Sequence, residues 1–252
     1  MRGRRKYEKM NIINVENITK SYTGRKLFSK ASFYVQENEK IGIIGINGTG
    51  KSTLSKAIMG HFLFEVNDGE ILFNGIKIND LSVDERAKLG IFLAMQDPTV
   101  VEGVTNSEFL KSAYEEQTGK HIDYFKFIND VNKSLDDLKF SRDMIHRHVN
   151  AGFSGGEKKK NEILQMLVLE PKLVILDETD SGLDVDAVRT VSKGIEMYKN
   201  EENAVLIITH NTRILENLKV DYVHILVDGK IVKTGDASLA QEIEVNGYSQ
   251  YK

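Results

Sequence analysis

The sequence predicts an α/β fold with a mixed sheet at its core, an antiparallel β lobe and an inserted helical subdomain. Three observations support this prediction. Residues 45–52 fit the pattern G-x-x-x-x-G-K-[ST], between an apolar β-branched run and a helix-forming segment. After residue 173, short apolar runs alternate with helical segments, which is typical of parallel β-α units. Between these regions, residues 105–165 are charged, helix-periodic and free of long β-branched runs, which predicts the helical subdomain.

The individual strands follow from local patterns. Residues 11–17 and 27–35 alternate as antiparallel strands do, and Asp68-Gly69 opens another strand-like run over 70–78. A buried parallel strand is predicted over residues 40–44, followed by a helix over 51–59. Further apolar strands are predicted over residues 173–176, 204–208 and 223–227. Asp228-Gly229 signals a tight hairpin, so the chain is expected to finish with an antiparallel ribbon and a short helix.

The glycine-rich stretch predicts a site for a nucleoside triphosphate. Its glycines let the backbone curl so that successive N–H groups face phosphate oxygens, aided by the helix dipole. Lys51 would reach the β- and γ-phosphates, and the Ser52 hydroxyl would ligate Mg²⁺. The alternative is a glycine-rich turn without a ligand. The residues predicted to contact the nucleotide here are Gly45, Asn47, Gly48, Thr49, Gly50, Lys51, Ser52 and Thr53.

Composition limits the classes of partner. The 252 residues include 34 basic and 37 acidic side chains, a formal charge of −3, so nucleic acid is not expected as the main partner. Cysteine is absent, which rules out a disulfide, a catalytic thiol and a Cys-ligated metal on this chain and fits a reducing, cytoplasmic location. No apolar run approaches the ~20 residues of a membrane-spanning helix, so direct membrane insertion is not expected. Residues 1–10 are basic and lack an apolar signal region. They are predicted to form a disordered extension, which is followed by a domain over residues 11–252.

Two further motifs add chemistry to the phosphate loop. Asp177 and Glu178 end an apolar strand, where carboxylates of a parallel sheet meet the ligand crevice. Asp177 is predicted to hold Mg²⁺ and Glu178 to act as general base, the alternative being that both cap the next helix. The sequence Ser154-Gly155-Gly156-Glu157 predicts a second anion-binding helix start, with Ser154 as N-cap. Because the Lys51 site is already complete, this second helix start is expected to bind the nucleotide of a neighbouring copy of the chain.

From residue 11 onward the sequence resembles the ABC-type P-loop ATPase family. The motifs that carry the resemblance are the phosphate loop, Gln96 as the Q-loop, Ser154–Glu157 as the signature, Asp177-Glu178 as Walker B, residues 181–184 as the D-loop and His210 as the switch histidine. The resemblance implies that two ATP molecules lie between the subunits of a head-to-tail dimer, each bound by one phosphate loop and the other subunit's signature. It also implies that Tyr22 stacks on adenine, Gln96 contacts Mg²⁺ and water, and His210 reaches the γ-phosphate. Without the resemblance, Tyr22 would be interpreted as a buried core residue and His210 as a surface residue.

A closer resemblance concerns the subfamily. From about residue 55 the sequence is similar to the ATPase subunit of the SUF iron–sulfur cluster assembly machinery (SufC), notably over 90–96, 152–165, 176–187 and 222–224. This implies a cytoplasmic ATPase with SUF-type scaffold proteins (SufB/SufD-like) as partners, which bind around residues 96–110. Residues 11–53 instead resemble ABC-F translation-associated ATPases.

Three functions therefore remain open from the sequence. The first is an ATPase that drives cluster assembly, the second is the nucleotide-binding subunit of an ABC transporter, and the third is an ABC-F-like ribosome-associated ATPase. The basic run Lys158-Lys159-Lys160 also allows two interpretations. It either holds Glu178 or a partner carboxylate in an inactive position, or forms a solvated helical face.

Overall fold

The computed structural model describes residues 10–22 and 25–251, without the side chains of Tyr22 and Arg25. The basic extension predicted over residues 1–10 lies outside the described residues, apart from Met10. The strands are β1 (Asn11–Tyr22), β2 (Arg25–Gln36), β3 (Lys40–Ile44), β4 (Asp68–Phe73), β5 (Ile76–Lys77), β6 (Ile91–Ala94), β7 (Val101–Thr105), β8 (His148–Val149), β9 (Leu173–Asp177), β10 (Ala204–Thr209), β11 (Tyr222–Val227) and β12 (Lys230–Gly235). The α-helices are α1 (Lys51–Met59), α2 (Val83–Leu89), α3 (Asn106–Thr118), α4 (Tyr124–Asp137), α5 (Gly155–Leu169), α6 (Val185–Tyr198), α7 (Arg213–Leu218) and α8 (Ser238–Asn246).

A six-stranded sheet in the order β12-β11-β3-β10-β9-β6 forms the core of the fold. Its strands are parallel except for the antiparallel pair β11 and β12. Strands β3, β9 and β10 are buried along their whole length, as expected for central parallel strands covered on both faces. The four parallel strands predicted over 40–44, 173–176, 204–208 and 223–227 are confirmed. Ile44 pairs with Thr209 and Ile208 pairs with Asp177, so three of these strands end at one edge of the sheet.

The antiparallel lobe is a four-stranded sheet in the order β2-β1-β4-β5. Its first two strands are confirmed and are longer than predicted, because β1 continues to Tyr22 and β2 begins at Arg25. The single strand predicted over 70–78 is wrong, because the chain turns at Asn74 and Gly75 and divides into β4 and β5. These residues have φ angles of 48° and 77°, and Phe73 pairs with Ile76 across them. Asparagine and glycine tolerate this left-handed backbone, which a two-residue hairpin requires.

Helices dominate the region between the two parts of the core sheet. The segment predicted to be helical over 105–165 contains α3, α4 and most of α5, with α5 continuing to Leu169. Helices α3 and α5 each begin with a capping box, formed by Thr105 with Glu108 and by Ser154 with Glu157. A two-stranded sheet of β7 and β8, absent from the prediction, borders this region.

The chain ends as the sequence predicts. Val227 pairs with Lys230 across a turn in which Asp228 and Gly229 have φ angles of 46° and 70°. Positive φ at both central residues is the geometry of a type I′ hairpin turn, whose twist matches that of the flanking strands. Helix α8 then packs against the core through Leu239, Ala240 and Ile243.

A buried histidine lies where the antiparallel lobe meets β11. The Nδ1 atom of His224 lies 2.7 Å from the Thr234 hydroxyl on β12, and its ring contacts the Phe33 ring on β2. Only 8% of His224 is exposed, and burial lowers the pKa of its imidazole from 6.5 to about 4. The folded chain therefore keeps this ring neutral at pH values where the unfolded chain protonates it.

Acidification should therefore weaken the fold through His224. Below pH 6.5 the unfolded chain binds a proton at this ring and the folded chain does not until about pH 4, so stability is lost as the pH falls. Between pH 7 and pH 5 this contributes a loss of about 2 kcal/mol in unfolding free energy. Denaturant unfolding should show that His224→Asn removes this part of the pH dependence. The control His121→Asn changes an exposed histidine and should leave it intact, and equal pH slopes for His224→Asn and the native chain would contradict the prediction.

Candidate active site

The phosphate loop connects the end of β3 to the start of α1. Gly48 and Gly50 have φ angles of 83° and 95°, which glycine adopts without strain. A Cβ atom at Gly50 would meet the Leu27 carbonyl oxygen at 2.5 Å, so this position also requires glycine for space. The Lys51 ammonium donates to the carbonyl oxygens of Gly45 at 2.7 Å and Ile46 at 3.0 Å. Burial lowers its pKa, opposed by the charges of Glu178 and Asp177.

Asp177 ends β9 directly beside α1. Its carboxylate accepts hydrogen bonds from the Ser52 hydroxyl at 3.0 Å and the Ser55 hydroxyl at 2.8 Å, and the residue is 1% exposed. Burial raises the pKa of Asp177, and these two hydrogen bonds oppose the increase. Sequence reasoning missed Ser55, although its spacing of three residues from Ser52 places both on one helix face.

The donor atoms at this point suit Mg²⁺. A serine hydroxyl, a buried carboxylate and the nearby Gln96 side chain offer oxygen ligands, which this hard cation prefers. Ser52, Asp177 and Gln96 are the residues that would hold the ion, as the sequence predicts. When bound, Mg²⁺ neutralises charge on the phosphate oxygens.

Glu178 follows Asp177 and is held from three directions. One carboxylate oxygen accepts from Gln96 Nε2 at 3.0 Å, and the other lies 3.2 Å from His210 Nδ1. Its backbone N–H donates to the Ile208 carbonyl at 2.8 Å. The residue has a φ angle of 50°, an uncommon left-handed conformation for glutamate that costs on the order of 1–3 kcal/mol.

This arrangement can activate water for attack on a phosphate. Glu178 is 7% exposed and lines a cavity of about 400 Å³, together with Gln96 and the phosphate loop. A carboxylate there can accept a proton from a water molecule that Gln96 orients, and His210 can donate a hydrogen bond to developing charge. A larger cavity, of about 900 Å³, lies beside α2 and contains no residue of the phosphate loop, so chemistry rather than size identifies the site. The residues lining the smaller cavity are Leu27, Asn47, Gly48, Gly50, Lys51, Ser52, Thr53, Gln96 and Glu178.

The predicted signature lies apart from this cavity. Ser154 and Gly155 are exposed at the start of α5, and a Cβ atom at Gly155 would meet nothing within 4 Å. The Ser154 side chain accepts from the Glu157 N–H, while the Glu157 carboxylate accepts from the Ser154 N–H at 2.8 Å and from Arg147 at 2.8 Å. Glu157 therefore stabilises the start of its own helix through a capping box. An open helix N-terminus remains, with Gly155 and Gly156 as its first residues.

Two more residues bear on the site, Asp180 in the turn after Glu178 and Tyr22 at the end of β1. The buried Asp180 carboxylate accepts from the Thr209 hydroxyl at 3.0 Å, which ties the turn after Glu178 to the strand that precedes His210. Burial raises the pKa of Asp180. No local pattern predicts this pair, because the two residues are 29 positions apart. Tyr22 ends β1, and its side chain, predicted to stack on adenine, lies outside the described residues.

Comparison with known proteins agrees with this geometry. A family model described as ABC transporter matches residues 28–181, which include the phosphate loop, Gln96, the signature and Glu178. The chain belongs to the ABC ATPase family. A probable ABC transporter ATP-binding protein of Streptococcus pyogenes serotype M3 is 46% identical over 244 residues, covering 95% of this chain and 94% of that protein.

Solved structures place this ABC ATPase in the same fold class. The ATP-binding subunit of an ABC transporter superposes with a TM-score of 0.78 at 26% identity, covering 95% of this chain and 96% of the other. A dimeric cassette, MJ0796, solved in a post-hydrolysis state with ADP and Pi, gives a TM-score of 0.78 at 19% identity, covering 89% and 98%. The predicted fold is thus confirmed.

Family membership settles the class of chemistry. This ABC ATPase is an ATP hydrolase that uses ATP with Mg²⁺. Among the helices that the structure describes, none has the length and apolar character needed to cross a bilayer.

Replacing the carboxylate of Glu178 should separate ATP binding from hydrolysis. Glu178→Gln keeps the shape and a hydrogen-bonding partner for Gln96 but removes the base, so phosphate release should fall roughly 10²- to 10⁴-fold. ATP affinity, measured by equilibrium binding, should be retained. Glu202→Gln makes the same chemical change in an exposed turn and serves as the control. Hydrolysis by Glu178→Gln at the native rate would show that another group acts as the base.

Proposed function

We propose that this chain hydrolyses ATP as a head-to-tail dimer to drive iron–sulfur cluster assembly on a SUF-type, SufB/SufD-like scaffold in the cytoplasm. The observation that carries the catalytic part is the position of Glu178 between Gln96 and His210 at the phosphate-loop cavity. The resemblance of the chain from residue 55 onward to SUF ATPase subunits supports the assembly role. The absence of cysteine fits it, because the scaffold would hold iron and sulfide.

The open signature helix supports the dimeric arrangement. The N-terminus of α5 offers unobstructed backbone around Gly155, while the phosphate-loop cavity of the same chain is lined by other residues. A helix N-terminus attracts anionic groups through its free N–H groups and its dipole. A second copy would bring its nucleotide to this point. The MJ0796 cassette, which has the same fold, is dimeric in its state with ADP and Pi bound.

The surface after the Q-loop supports a partner that senses nucleotide. Met95, Val100 and Val101 are 39%, 44% and 37% exposed and lie on both sides of the segment that contains Gln96. Exposed apolar side chains close together in the chain favour a protein interface. A partner bound here would contact the segment whose side chain reaches Glu178.

The second candidate is the nucleotide-binding subunit of a transporter. The streptococcal relative is named as a probable ABC transporter ATP-binding protein, which favours this candidate. The same Q-loop surface would then dock on a membrane subunit. The ABC-F-like alternative depends on the N-terminal resemblance and on the basic residues at the start of the chain.

Co-expression with the cognate SUF-type scaffold tests the assembly role. Tagged chain should co-purify with the scaffold, and the scaffold should gain iron and acid-labile sulfide. Lys51→Ala should keep the scaffold but lose cluster loading, because Lys51 lies at the phosphate loop and not at the docking surface. Val101→Asp should lose the scaffold and keep basal ATP hydrolysis, because it places a charge in the apolar surface.

The matched control is Val245→Asp, which changes another exposed valine, on α8, and should behave as the native chain. Binding only to a detergent-extracted membrane subunit would overturn the assembly role in favour of the transporter. Sedimentation with ribosomes in place of scaffold binding would favour the ABC-F-like alternative.

A further inference from the structure

Two buried charged side chains on α5 grip the backbone of the Q-loop. The Lys159 ammonium donates to the carbonyl oxygens of Met95 at 2.6 Å and Gln96 at 2.8 Å. The Glu162 carboxylate accepts from the Met95 N–H at 2.8 Å and lies 3.8 Å from the Lys159 ammonium. Both residues are 4% exposed. We call Lys159 and Glu162 the α5 clasp. For Lys159, both interpretations of the lysine run are wrong, because its buried ammonium contacts the Q-loop backbone and neither holds Glu178 nor faces solvent.

The clasp is costly to bury, which argues that it has a role beyond packing. Burial lowers the pKa of Lys159, with Glu162 opposing, and raises the pKa of Glu162 to about 7, again opposed by its partner. Apolar side chains at the same positions would avoid this desolvation. What they could not supply is the set of three hydrogen bonds to two consecutive residues of the Q-loop.

These hydrogen bonds fix the residue that reaches Glu178. The backbone of Gln96 is held through its carbonyl oxygen, and the preceding residue, Met95, is held at both its N–H and its carbonyl oxygen. The side chain of Gln96 is itself exposed, and its Nε2 atom lies 3.0 Å from Glu178. The position of this exposed amide therefore depends on a backbone that Lys159 and Glu162 hold by hydrogen bonds.

The same helix also reaches the far end of this segment. Asn161 Nδ2 donates to Asn150 Oδ1 at 3.0 Å, and Asn150 Nδ2 donates to the Thr99 carbonyl at 2.8 Å. Asn161 and Asn150 are 0% and 2% exposed, so these bonds are shielded from water. Residues 95–99 are thus attached to α5 at both ends.

We propose that Lys159 and Glu162 are positioning residues that set the Gln96 side chain for hydrolysis by fixing the Q-loop to the signature helix. The inference rests on the proposed role of Gln96. It also links the signature to the Q-loop within one chain, because α5 starts at the signature and carries Lys159 about one turn and Glu162 about two turns later. If nucleotide bound at the signature displaced α5, the displacement would also move Gln96, which belongs to the phosphate-loop site of the same chain.

Lys159→Met removes the donor and retains similar length. We expect turnover to fall roughly tenfold to hundredfold, the size of effect that a small misplacement of a catalytic group produces. Equilibrium binding of ATP in EDTA should not change, whereas the gain in ATP affinity on adding Mg²⁺ should shrink. Lys159→Arg should restore much of both, because guanidinium also donates to carbonyl oxygens. Lys158→Met, in the same run, is the control and should match the native chain.

A double-mutant cycle with Gln96→Ala distinguishes positioning from general stability. If the clasp acts through Gln96, adding Lys159→Met to Gln96→Ala should cause no further loss of Mg²⁺-dependent ATP affinity or of turnover. Additive losses would overturn the inference. If Lys159→Met does not fold, Glu162→Gln is the second variant, and it should reduce the Mg²⁺-dependent gain in the same direction.

The controls also separate this inference from the function on which it rests. Native turnover and native Mg²⁺ dependence in Gln96→Ala would remove the role of Gln96 itself. A clear defect in Gln96→Ala, together with Lys159→Met and Glu162→Gln that match Lys158→Met, would leave the role of Gln96 intact and show that the clasp is only structural.

Discussion

The parallel register of β3, β10 and β9 is the constraint on which the site depends. Backbone hydrogen bonds align Ile44 with Thr209 and Ile208 with Asp177. The residues that follow these strand ends are the phosphate loop after β3, His210 after β10 and Glu178 after β9. They therefore lie side by side at the C-terminal ends of the strands. A slip of one residue in a parallel pair would turn each of these side chains to the opposite face. The buried β-branched and leucine side chains of these strands hold the register, so core packing and catalytic geometry have the same origin.

Local signals predicted most of the fold, together with the phosphate loop, Asp177 and Glu178 of the candidate site, whereas Gln96 and His210 followed from the family resemblance. The phosphate loop, the N-cap Ser154 and the Asp228-Gly229 turn each depend on residues close together in the chain, so the sequence alone identified them. The division at Asn74-Gly75 was also readable, because Asn-Gly is a strong hairpin signal that the run over 70–78 obscured. The left-handed conformation of Glu178 and the α5 clasp were not readable, since both depend on contacts across 30 to 67 residues.

Several ionisable groups are buried at or near the phosphate-loop cavity, and the shifts in their pKa have one main cause. Desolvation lowers the pKa of Lys51 and Lys159 and raises that of Asp177, Asp180 and Glu162. Each charge also has a hydrogen bond or an opposite charge that partly offsets this cost. Groups held in this way do not need to reorient when charge develops on a phosphate, which is the main physical advantage of a preformed electrostatic site. The stability that this burial costs must come from the apolar core.

Under the proposed function, catalysis and the choice of partner would depend on different parts of this molecule. Every residue that touches the phosphate-loop cavity would serve the same purpose in a transporter subunit or in an assembly ATPase. What could differ is the exposed surface around Val100 and Val101, together with the contacts that carry its state inward. The α5 clasp lies between these two parts, because it holds the backbone of Met95 and Gln96 from within. Specificity for a partner can therefore change at the surface while the site remains constant, provided that the segment between them stays fixed to α5.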